Sequence, residues 1–237
     1  ILAGGLAALS FRDLTVVNAF TGMGAILGHG TARRRPLHRA LACTIRVLSR
    51  ANRAYAIVQN ADDRAYLLKG GVAPADRVAL IPGSGVDTTV FSPEPEAEGP
   101  LTIMMVSRLL REKGVAELVC AASILRSRGV EVRVQIVGDR DPENPGSVSD
   151  TEIAAWRHAG DVEFLGSRSD IAELWRAAHI AVLPSYYGEG VPKSLLEAAA
   201  AGKPVVTTDM PGCRDLVPDG RTGILVPPRD SEALADA

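Results

Sequence analysis

Short apolar runs alternate along this chain with longer stretches of helical periodicity, and few folds accommodate that alternation. It is typical of a parallel sheet whose strands are joined by helices. Because the runs are almost continuously apolar, we expect helices to cover both faces of the sheet. The predicted strands are 14–18, 55–60, 77–82, 102–107, 132–138, 162–166, 179–185, 203–208 and 223–227. The predicted helices lie near 34–54, 60–70, 114–127, 149–158, 169–178, 191–201 and 211–217.

The segment 91–100, FSPEPEAEGP, is rich in proline and glutamate and has no periodicity, so it predicts a linker. It would separate an N-terminal Rossmann-like domain at 1–90 from a second one at 101–237 with about six parallel strands. The chain opens within an apparent helix, and its last seven residues, SEALADA, look like a helix cut short. We therefore expect a fragment of a longer chain, whose first α/β domain is incomplete.

Composition and charge exclude several classes of protein. With 46% apolar and 23% charged residues, the chain is neither a disordered tail nor a small disulfide scaffold. Its three cysteines stand far apart without zinc-ligand spacing, and it lacks the 18 consecutive apolar residues that a membrane-spanning helix requires. The net charge of −2 hides an asymmetry: residues 1–60 carry eight arginines against one acid, and the remainder carries 18 basic and 27 acidic side chains. This predicts an anionic partner for the first part.

The loop predicted after strand 102–107 carries two cations, Arg108 and Lys113, and leads to a helix N-terminus. In parallel sheets ligands bind at the carboxyl ends of strands. The free N–H groups and the dipole of a helix N-terminus favour phosphate there. The two cations would clamp a diphosphate; the alternative is an ordinary solvated loop.

A glycine and two aspartates follow the next strand of the second domain. Gly138 would let the backbone approach a ligand closely. Asp139 and Asp141 form a D-x-D, which could hold a metal diphosphate. We interpret the pair instead as part of a loop rich in turn-forming residues, DPENPGSVSD.

The strongest signal follows the seventh predicted strand, where the turn YYGEGVP leads to a helix that begins near Pro192. Glu189 stands just before that helix, beside backbone N–H groups from Gly190 to Leu195 that we expect to be free to hold phosphate or sugar oxygens. Glu197 lies two turns into a small, apolar helix, where a carboxylate is costly unless it is paired or meets a ligand. The two hydroxyls of a ribose would satisfy it; the alternative is an ordinary surface glutamate.

These motifs resemble those of retaining glycosyltransferases of family 4, which have the GT-B fold. The resemblance rests on SRLLREKG, VGD, VEFLG, HIAVLPS and the stretch YYGEGVPKSLLEAAAAGKPVVTTDMPG, in which two glutamates enclose seven residues. It covers essentially all of 77–237, including IPGSGVDTTVFSP, and is weakest in residues 1–60. The stretch EGVPKSLLEAAAAGKPVVTTDMPG is similar to bacterial enzymes that extend lipid-linked saccharides for capsule, exopolysaccharide or O-antigen.

The resemblance implies a role for each matching position. Arg108 and Lys113 would hold the donor diphosphate and stabilise the departing nucleotide, Glu189 would contact the donor sugar, and Glu197 would bind the ribose. Neither a metal nor another cofactor is implied, because the two cations neutralise the leaving group. The other donor-binding positions that the resemblance implies are Gly138, Phe164, Leu165, Gly166, Gly190, Val191, Pro192 and Leu195.

The first domain departs from the family pattern at one position. Many relatives carry a histidine near the donor sugar, but AFTGMG, the loop expected after strand 14–18, has none. Either Thr21 takes that place or the contact is absent. We interpret His29, further along, as a loop residue.

The helix predicted at 34–54 is amphipathic and strongly basic. Its cationic face is either an ordinary solvated surface or, as the arginine excess favours, a contact with an anionic membrane or a lipid diphosphate. The second interpretation agrees with an acceptor on a polyprenyl diphosphate, which the resemblance implies. The apolar stripe consists of Leu37, Leu41, Thr44, Ile45 and Leu48. The opposite face carries Arg39, Arg46, Arg50 and Arg53.

Taken with the resemblance, these features imply transfer of a hexose or N-acetylhexosamine from a nucleotide diphosphate sugar, expected to be UDP-linked. The acceptor would be a lipid-linked saccharide and the anomeric configuration would be retained. We expect a cytoplasmic protein, peripheral on the inner face of the membrane, without a nucleic-acid partner. Two alternatives stay open: a sugar-nucleotide 2-epimerase with similar domains, against which the spaced glutamates and SRLLREKG argue, and a non-catalytic nucleotide-sugar-binding module.

Overall fold

The computed structural model describes residues 1–11, 13–23, 35–217 and 220–237, and over 35–38 it describes the backbone alone. The helices are α1 (Leu2–Ala8), α2 (Arg35–Ala51), α3 (Ala61–Lys69), α4 (Val115–Ser127), α5 (Asp150–Ala159), α6 (Ile171–Ala177), α7 (Lys193–Ala200) and α8 (Ser231–Asp236). The strands are β1 (Val17–Phe20), β2 (Tyr55–Val58), β3 (Val78–Leu80), β4 (Thr102–Val106), β5 (Arg133–Val137), β6 (Glu163–Gly166), β7 (Ile180–Leu183), β8 (Val205–Thr208) and β9 (Gly223–Val226). Single 3-10 turns occupy Ala75–Arg77, Arg111–Lys113 and Arg214–Leu216.

The chain divides into two compact units. One consists of Ile1–Ser84 together with Gly188–Val191, and the other of Gly85–Tyr187 together with Pro192–Ala237. The proline-rich segment 91–100 contains neither helix nor strand.

The first unit is built on a parallel sheet in the order β1-β2-β3. Its core contains Phe20 of β1, Val58 of β2 and Leu67 of α3, which are almost completely buried. Helix α3 begins at Ala61 because the Asn60 side chain accepts a hydrogen bond from the Asp63 amide at 2.7 Å and so caps the helix. A capped helix therefore follows directly on β2.

Helix α2 packs by the apolar stripe that its sequence predicts. Ile45 and Leu48 are buried and Leu41 is partly buried against the same core. Thr44, expected on this stripe, is exposed instead, and it donates to the Ala40 carbonyl at 3.0 Å. The side chain of Leu37 lies outside the described part of the molecule. The exposed residues of this region include Arg39, Arg46, Arg50 and Arg53.

The second unit is built on a six-stranded parallel sheet in the order β6-β5-β4-β7-β8-β9. This is the strand order of a Rossmann fold, and the direction of winding reverses between β4 and β7. The core lies between the sheet and its helices and includes Met104, Ile136 and Leu183 from three strands, with Trp175 of α6 fully buried among them. The α/β class with parallel sheets is thus confirmed, and the reversal fixes where a ligand crevice can form.

The predicted ends of one strand and one helix were wrong, and so was the type of one predicted helix. β1 runs to Phe20, so the loop after it starts at Thr21. The α-helix predicted at 211–217 is a single 3-10 turn preceded by Gly212, whose positive φ of 83° interrupts helical geometry. α2 stops at Ala51 rather than near 54 because Arg53 takes a left-handed conformation with φ of 48°.

Candidate functional site

The loops that follow β4 and β7 meet where the winding of the second sheet reverses. The carbonyl oxygen of Glu112 accepts hydrogen bonds from the Tyr186 amide at 3.0 Å and from Ser185 Oγ at 3.1 Å. The 3-10 turn Arg111–Lys113 ends at Gly114, whose φ of 80° is left-handed. These contacts hold the loop that carries Lys113 against the end of β7. We call residues 107–114 and 184–186 the donor corner.

Arg108 is an exposed cation of the donor corner. Its side chain is 61% exposed, and Nη1 lies 2.7 Å from Oδ2 of Asp141. The backbone beside it is fixed, because the Leu109 amide donates to the Asp139 carbonyl at 2.9 Å. The guanidinium therefore faces solvent from a rigid backbone and can reach an anion there.

Gly138 brings the end of β5 against the donor corner. Its φ is 134°, and a Cβ atom at this position would lie 1.9 Å from the Ser107 carbonyl oxygen. The close approach that the sequence predicted for a ligand is thus made in this structure by the Ser107 backbone. The Gly138 amide also donates to the Gly166 carbonyl at 2.8 Å, so the ends of β4, β5 and β6 come together.

The turn Phe164–Leu165–Gly166 closes the same edge of the sheet. The Phe164 ring stacks on Trp156 with 6.2 Å between ring centroids, and the Arg157 guanidinium lies 5.7 Å from the Phe164 ring. Gly166 has a φ of 68°. This is an aromatic edge next to the carboxyl ends of the strands.

Glu197 is a partly buried carboxylate on α7, not a surface residue. Its side chain is 12% exposed, and Oε1 lies 3.7 Å from Nζ of Lys193 one turn earlier. Burial raises the pKa of the Glu197 carboxyl above its ordinary value, and the Lys193 ammonium opposes that shift. The buried indole N–H of Trp175 also favours the ionised form, although it lies outside normal hydrogen-bond geometry. A carboxylate in this setting gains from a ligand that donates hydrogen bonds.

Two backbone N–H groups that were expected to be free donate hydrogen bonds within the chain. The Leu195 amide donates to the Pro192 carbonyl at 3.1 Å, because the first turn of α7 closes on that residue. The Leu195 side chain is buried in the core of the second unit. The Val191 amide donates to Oε1 of Gln59 at 3.2 Å. The expectation that every amide from Gly190 to Leu195 faces a ligand was therefore wrong.

Gly188–Val191, the segment with Glu189, is held within the first unit. Asn60 Nδ2 donates to the Glu189 carbonyl at 3.0 Å and to the Gly190 carbonyl at 3.2 Å. A Cβ atom on Gly22 would lie 2.9 Å from the Gly190 amide nitrogen, so glycine is needed at that contact. The backbone of Glu189 is thereby fixed by the residues that follow β1 and β2.

The sequence interpretation missed several residues that shape these loops. Arg111, for which the sequence indicated no role, makes two hydrogen bonds of 2.6 Å to Glu152. Glu152 also belongs to a capping box with Ser149 at the start of α5, and this S-x-x-E pattern was visible in the sequence. The hydrogen bonds to Arg111 and to Ser149 lower the pKa of Glu152 to about 2.

In the described part of the chain, no cluster of three or more histidine, cysteine or carboxylate side chains is arranged to hold a metal ion. None of its helices combines the length and the apolarity that crossing a bilayer requires. His29 lies outside the described residues.

The chain matches known proteins in both sequence and structure. It is 37% identical over 134 residues to the N,N'-diacetylbacillosaminyl-diphospho-undecaprenol alpha-1,3-N-acetylgalactosaminyltransferase of Campylobacter jejuni, which covers 56% of this chain and 33% of that protein. It is 34% identical to the putative colanic acid biosynthesis glycosyltransferase WcaL of Escherichia coli, over 68% of this chain and 41% of that one. The chain thus spans less than half the length of these relatives.

Solved structures with the GT-B fold superimpose on the whole chain. Sucrose-phosphate synthase from Thermosynechococcus elongatus gives a TM-score of 0.81 at 24% identity, over 100% of this chain and 60% of that one. Anabaena HepE, solved with UDP, gives 0.76 at 24% identity, over 99% and 64%. The family model described as glycosyl transferases group 1 matches residues 100–237, more than half of the chain. On this match, the chain belongs to the group 1 glycosyltransferases.

Proposed function

We propose that this chain carries the donor site of a retaining, family 4 glycosyltransferase that transfers a hexose or N-acetylhexosamine from a UDP-sugar to a lipid-linked saccharide. The observation that carries the proposal is the donor corner. There, two cationic positions, Arg108 and Lys113, lie on a loop fixed to the end of β7, where the sheet reverses. Open α/β sheets bind nucleotides at such reversals.

In this proposal, the donor corner neutralises the negative charge of the leaving group. When the bond between sugar and diphosphate breaks, negative charge develops on the departing phosphate oxygen. Arg108 and Lys113 would stabilise that charge, and fixed donors of this kind are worth about 10²–10³ in rate. The partly buried Glu197 would accept hydrogen bonds from the two ribose hydroxyls. Glu189 would contact the donor sugar, and a metal ion is not required in this scheme.

The acceptor side of the proposal rests on charge. The name of the Campylobacter relative specifies an undecaprenol-linked diphosphate. Two other relatives are named as a putative colanic acid biosynthesis glycosyltransferase and a capsular polysaccharide biosynthesis glycosyltransferase. The exposed face of α2 presents Arg39, Arg46 and Arg50. Each such charge near an anionic leaflet contributes about 1 kcal/mol. We expect this face to meet the inner membrane surface or the lipid diphosphate itself.

The first test is calorimetric titration of the chain with UDP, ADP and GDP in the presence of EDTA. The proposal expects UDP to bind with a micromolar-to-millimolar Kd and the binding to be lost in Glu197→Ala. Glu131→Ala, which removes an exposed carboxylate elsewhere on the second unit, serves as the matched control. A folded wild-type chain that binds no nucleotide would contradict the donor site.

Turnover is tested in the whole protein from which the chain derives. Arg108→Ala is expected to reduce transfer by about 10²–10³ without unfolding the protein, whereas Arg168→Ala, which removes an exposed arginine paired with Asp170, is expected to leave it unchanged. Near-normal transfer by Arg108→Ala would refute the assigned role. The same protein incubated with donor alone tests the epimerase alternative, because an epimerase needs no acceptor.

Membrane contact is tested by sedimentation with vesicles that contain anionic lipid. Arg46→Ala/Arg50→Ala is expected to reduce binding by about thirtyfold, since two charges contribute about 1 kcal/mol each. Lys69→Ala/Arg221→Ala removes the same charge from other exposed positions and is the control. Equal losses in both variants would indicate a general charge effect and not a face of α2.

A further inference from the structure

Arg108 of the donor corner already has an anionic partner inside the chain. Arg108 Nη1 lies 2.7 Å from Asp141 Oδ2, and the Asp141 side chain is 28% exposed. Phosphate oxygens and carboxylate oxygens accept hydrogen bonds from a guanidinium in the same way. A diphosphate arriving at Arg108 therefore competes with Asp141 for the same N–H groups.

The position of Asp141 is set by its own loop. Its amide donates to Ser147 Oγ at 3.1 Å, and its carbonyl accepts from the Asn144 amide at 2.9 Å. The loop is in turn bonded to the backbone next to Arg108, since the Val148 amide donates to the Leu109 carbonyl at 2.9 Å. None of these bonds involves the Asp141 carboxylate. The backbone that carries this carboxylate is consequently held near Arg108 whether or not the ion pair is intact.

Two neighbouring arginines are used differently. Arg111 gives two parallel hydrogen bonds to Glu152, which caps α5. Arg140 donates through Nε to the Val148 carbonyl at 2.8 Å and also pairs with Asp150. Both arginines tie the loop to α5 or to its own backbone. The pair of Arg108 with Asp141 involves neither a helix cap nor a backbone carbonyl, so it can exchange its anion without disturbing the loop.

We infer that Asp141 is a positioning residue for Arg108 that stands in for the phosphate when no donor is bound. It holds the guanidinium at the donor corner, and it yields the hydrogen bond when a diphosphate arrives. Because the bound diphosphate has to displace this carboxylate and then remains beside it, Asp141 weakens nucleotide affinity and favours release of the nucleoside diphosphate product. This inference rests on the proposed function of Arg108.

Calorimetric titration with UDP and with uridine, both in EDTA, tests it. Asp141→Asn is expected to bind UDP about three- to tenfold more tightly than the wild-type chain, because a competing exposed ion pair is weak and a repulsive charge is removed. Uridine, which lacks phosphate, is expected to bind both chains equally. The gain for UDP should shrink as NaCl is raised, since salt screens the exposed charges.

Two further variants test whether the effect of Asp141 on UDP binding depends on Arg108. In an Arg108→Ala background, Asp141→Asn is expected to improve UDP binding far less than it does in the wild-type chain. Asp170→Asn breaks a pair of similar exposure, that with Arg168, and is expected to leave UDP affinity unchanged. Thermal unfolding checks that each variant is folded. If Asp141→Asn does not fold, Asp141→Ser removes the same charge and replaces it in the titrations.

The outcomes separate this inference from the proposed function. Tighter UDP binding that depends on Arg108 supports it. If the wild-type chain binds UDP and Asp141→Asn binds it equally or more weakly, the inference is overturned while the donor site stands. If the folded wild-type chain binds no UDP, the donor site fails and the inference fails with it.

Discussion

Gly114 lies so close to Pro184 that a Cβ atom on the glycine would be 2.2 Å from the Pro184 carbonyl oxygen. The two residues belong to the loops that follow neighbouring strands, and Gly114 has a left-handed φ of 80°. The contact therefore sets how closely the cationic loop can approach the end of β7.

Gly114→Ala is expected to lower the free energy of unfolding by about 2–4 kcal/mol, because it combines backbone strain with a clash against backbone atoms. Gly129→Ala is the matched control: its φ is 75°, and a Cβ there meets nothing within 4 Å. That variant is expected to lose about 1–2 kcal/mol from strain alone. Urea unfolding measures both, and equal losses would show that the clash is relieved at no cost.

Glu197→Gln is expected to separate binding from stability. Because burial raises the pKa of this carboxyl in the folded chain, its contribution to stability is largest at low pH and is lost as the pH rises through the folded pKa. The variant should therefore be at least as stable as the wild-type chain at pH 7, while UDP binds at least about tenfold more weakly. Denaturant unfolding at pH 4 and pH 7, with calorimetry, checks this. A marked loss of stability at pH 7 would contradict the burial argument.

Glu152→Gln is expected to have the opposite pH dependence. Hydrogen bonds from Arg111 and Ser149 lower the pKa of Glu152 to about 2, so its contribution to stability is present above its ordinary pKa of 4.5 and is lost as the pH falls towards 2. The variant should be about 0.5–1 kcal/mol less stable at pH 7, since this pair is partly exposed. The deficit should vanish near pH 2. Glu143→Gln, an exposed carboxylate on the preceding loop, is the control.

Asn60 combines two functions that substitutions can separate. Asn60→Ser keeps an oxygen that can cap α3 through the Asp63 amide, but it loses the amide donors to the Glu189 and Gly190 carbonyls. It is expected to cost about 1–2 kcal/mol, because one buried and one partly buried carbonyl lose a hydrogen-bond donor. Asn60→Ala also loses the cap and should cost about 1 kcal/mol more. Thermal unfolding ranks the variants; wild-type stability in Asn60→Ser would mean that the bonds to 189–190 contribute nothing.

The strands were predictable from the sequence because a buried parallel sheet requires apolar runs. All nine predicted strands are present. Their observed ends differ from the predicted ones where the polarity of the residues does not mark the end of a strand. At 14–18, Leu14 is apolar yet 54% exposed, so the run did not mark the strand correctly. The turn at 211–217 was predicted as an α-helix from its side chains. The positive φ of Gly212, which interrupts a helix there, is not readable from the sequence.

The placement of Glu197 and Arg108 was predictable because parallel strands present their carboxyl ends at one edge. Their partners were not. Arg108 meets Asp141, and Arg111 meets Glu152, across intervals of 33 and 41 residues. Charged side chains recur throughout loops, so spacing alone does not say which acid and which base will meet. For the same reason, spacing could not show that the Val191 amide donates to the side chain of Gln59, a residue 132 positions away.

The reversal of winding in the second sheet has a consequence for how the protein comes into being. Ile103 of β4 pairs with Ile180 of β7, 77 positions further along the chain. A ribosome must deliver β5, β6 and their connecting helices before β7 exists, and a loop of that length must then close. Until that step the cationic loop has no strand end to rest on. The donor corner can thus be completed only after β7 has been made, and a chain stalled before β7 would have three of the six strands and a cationic loop without its partner.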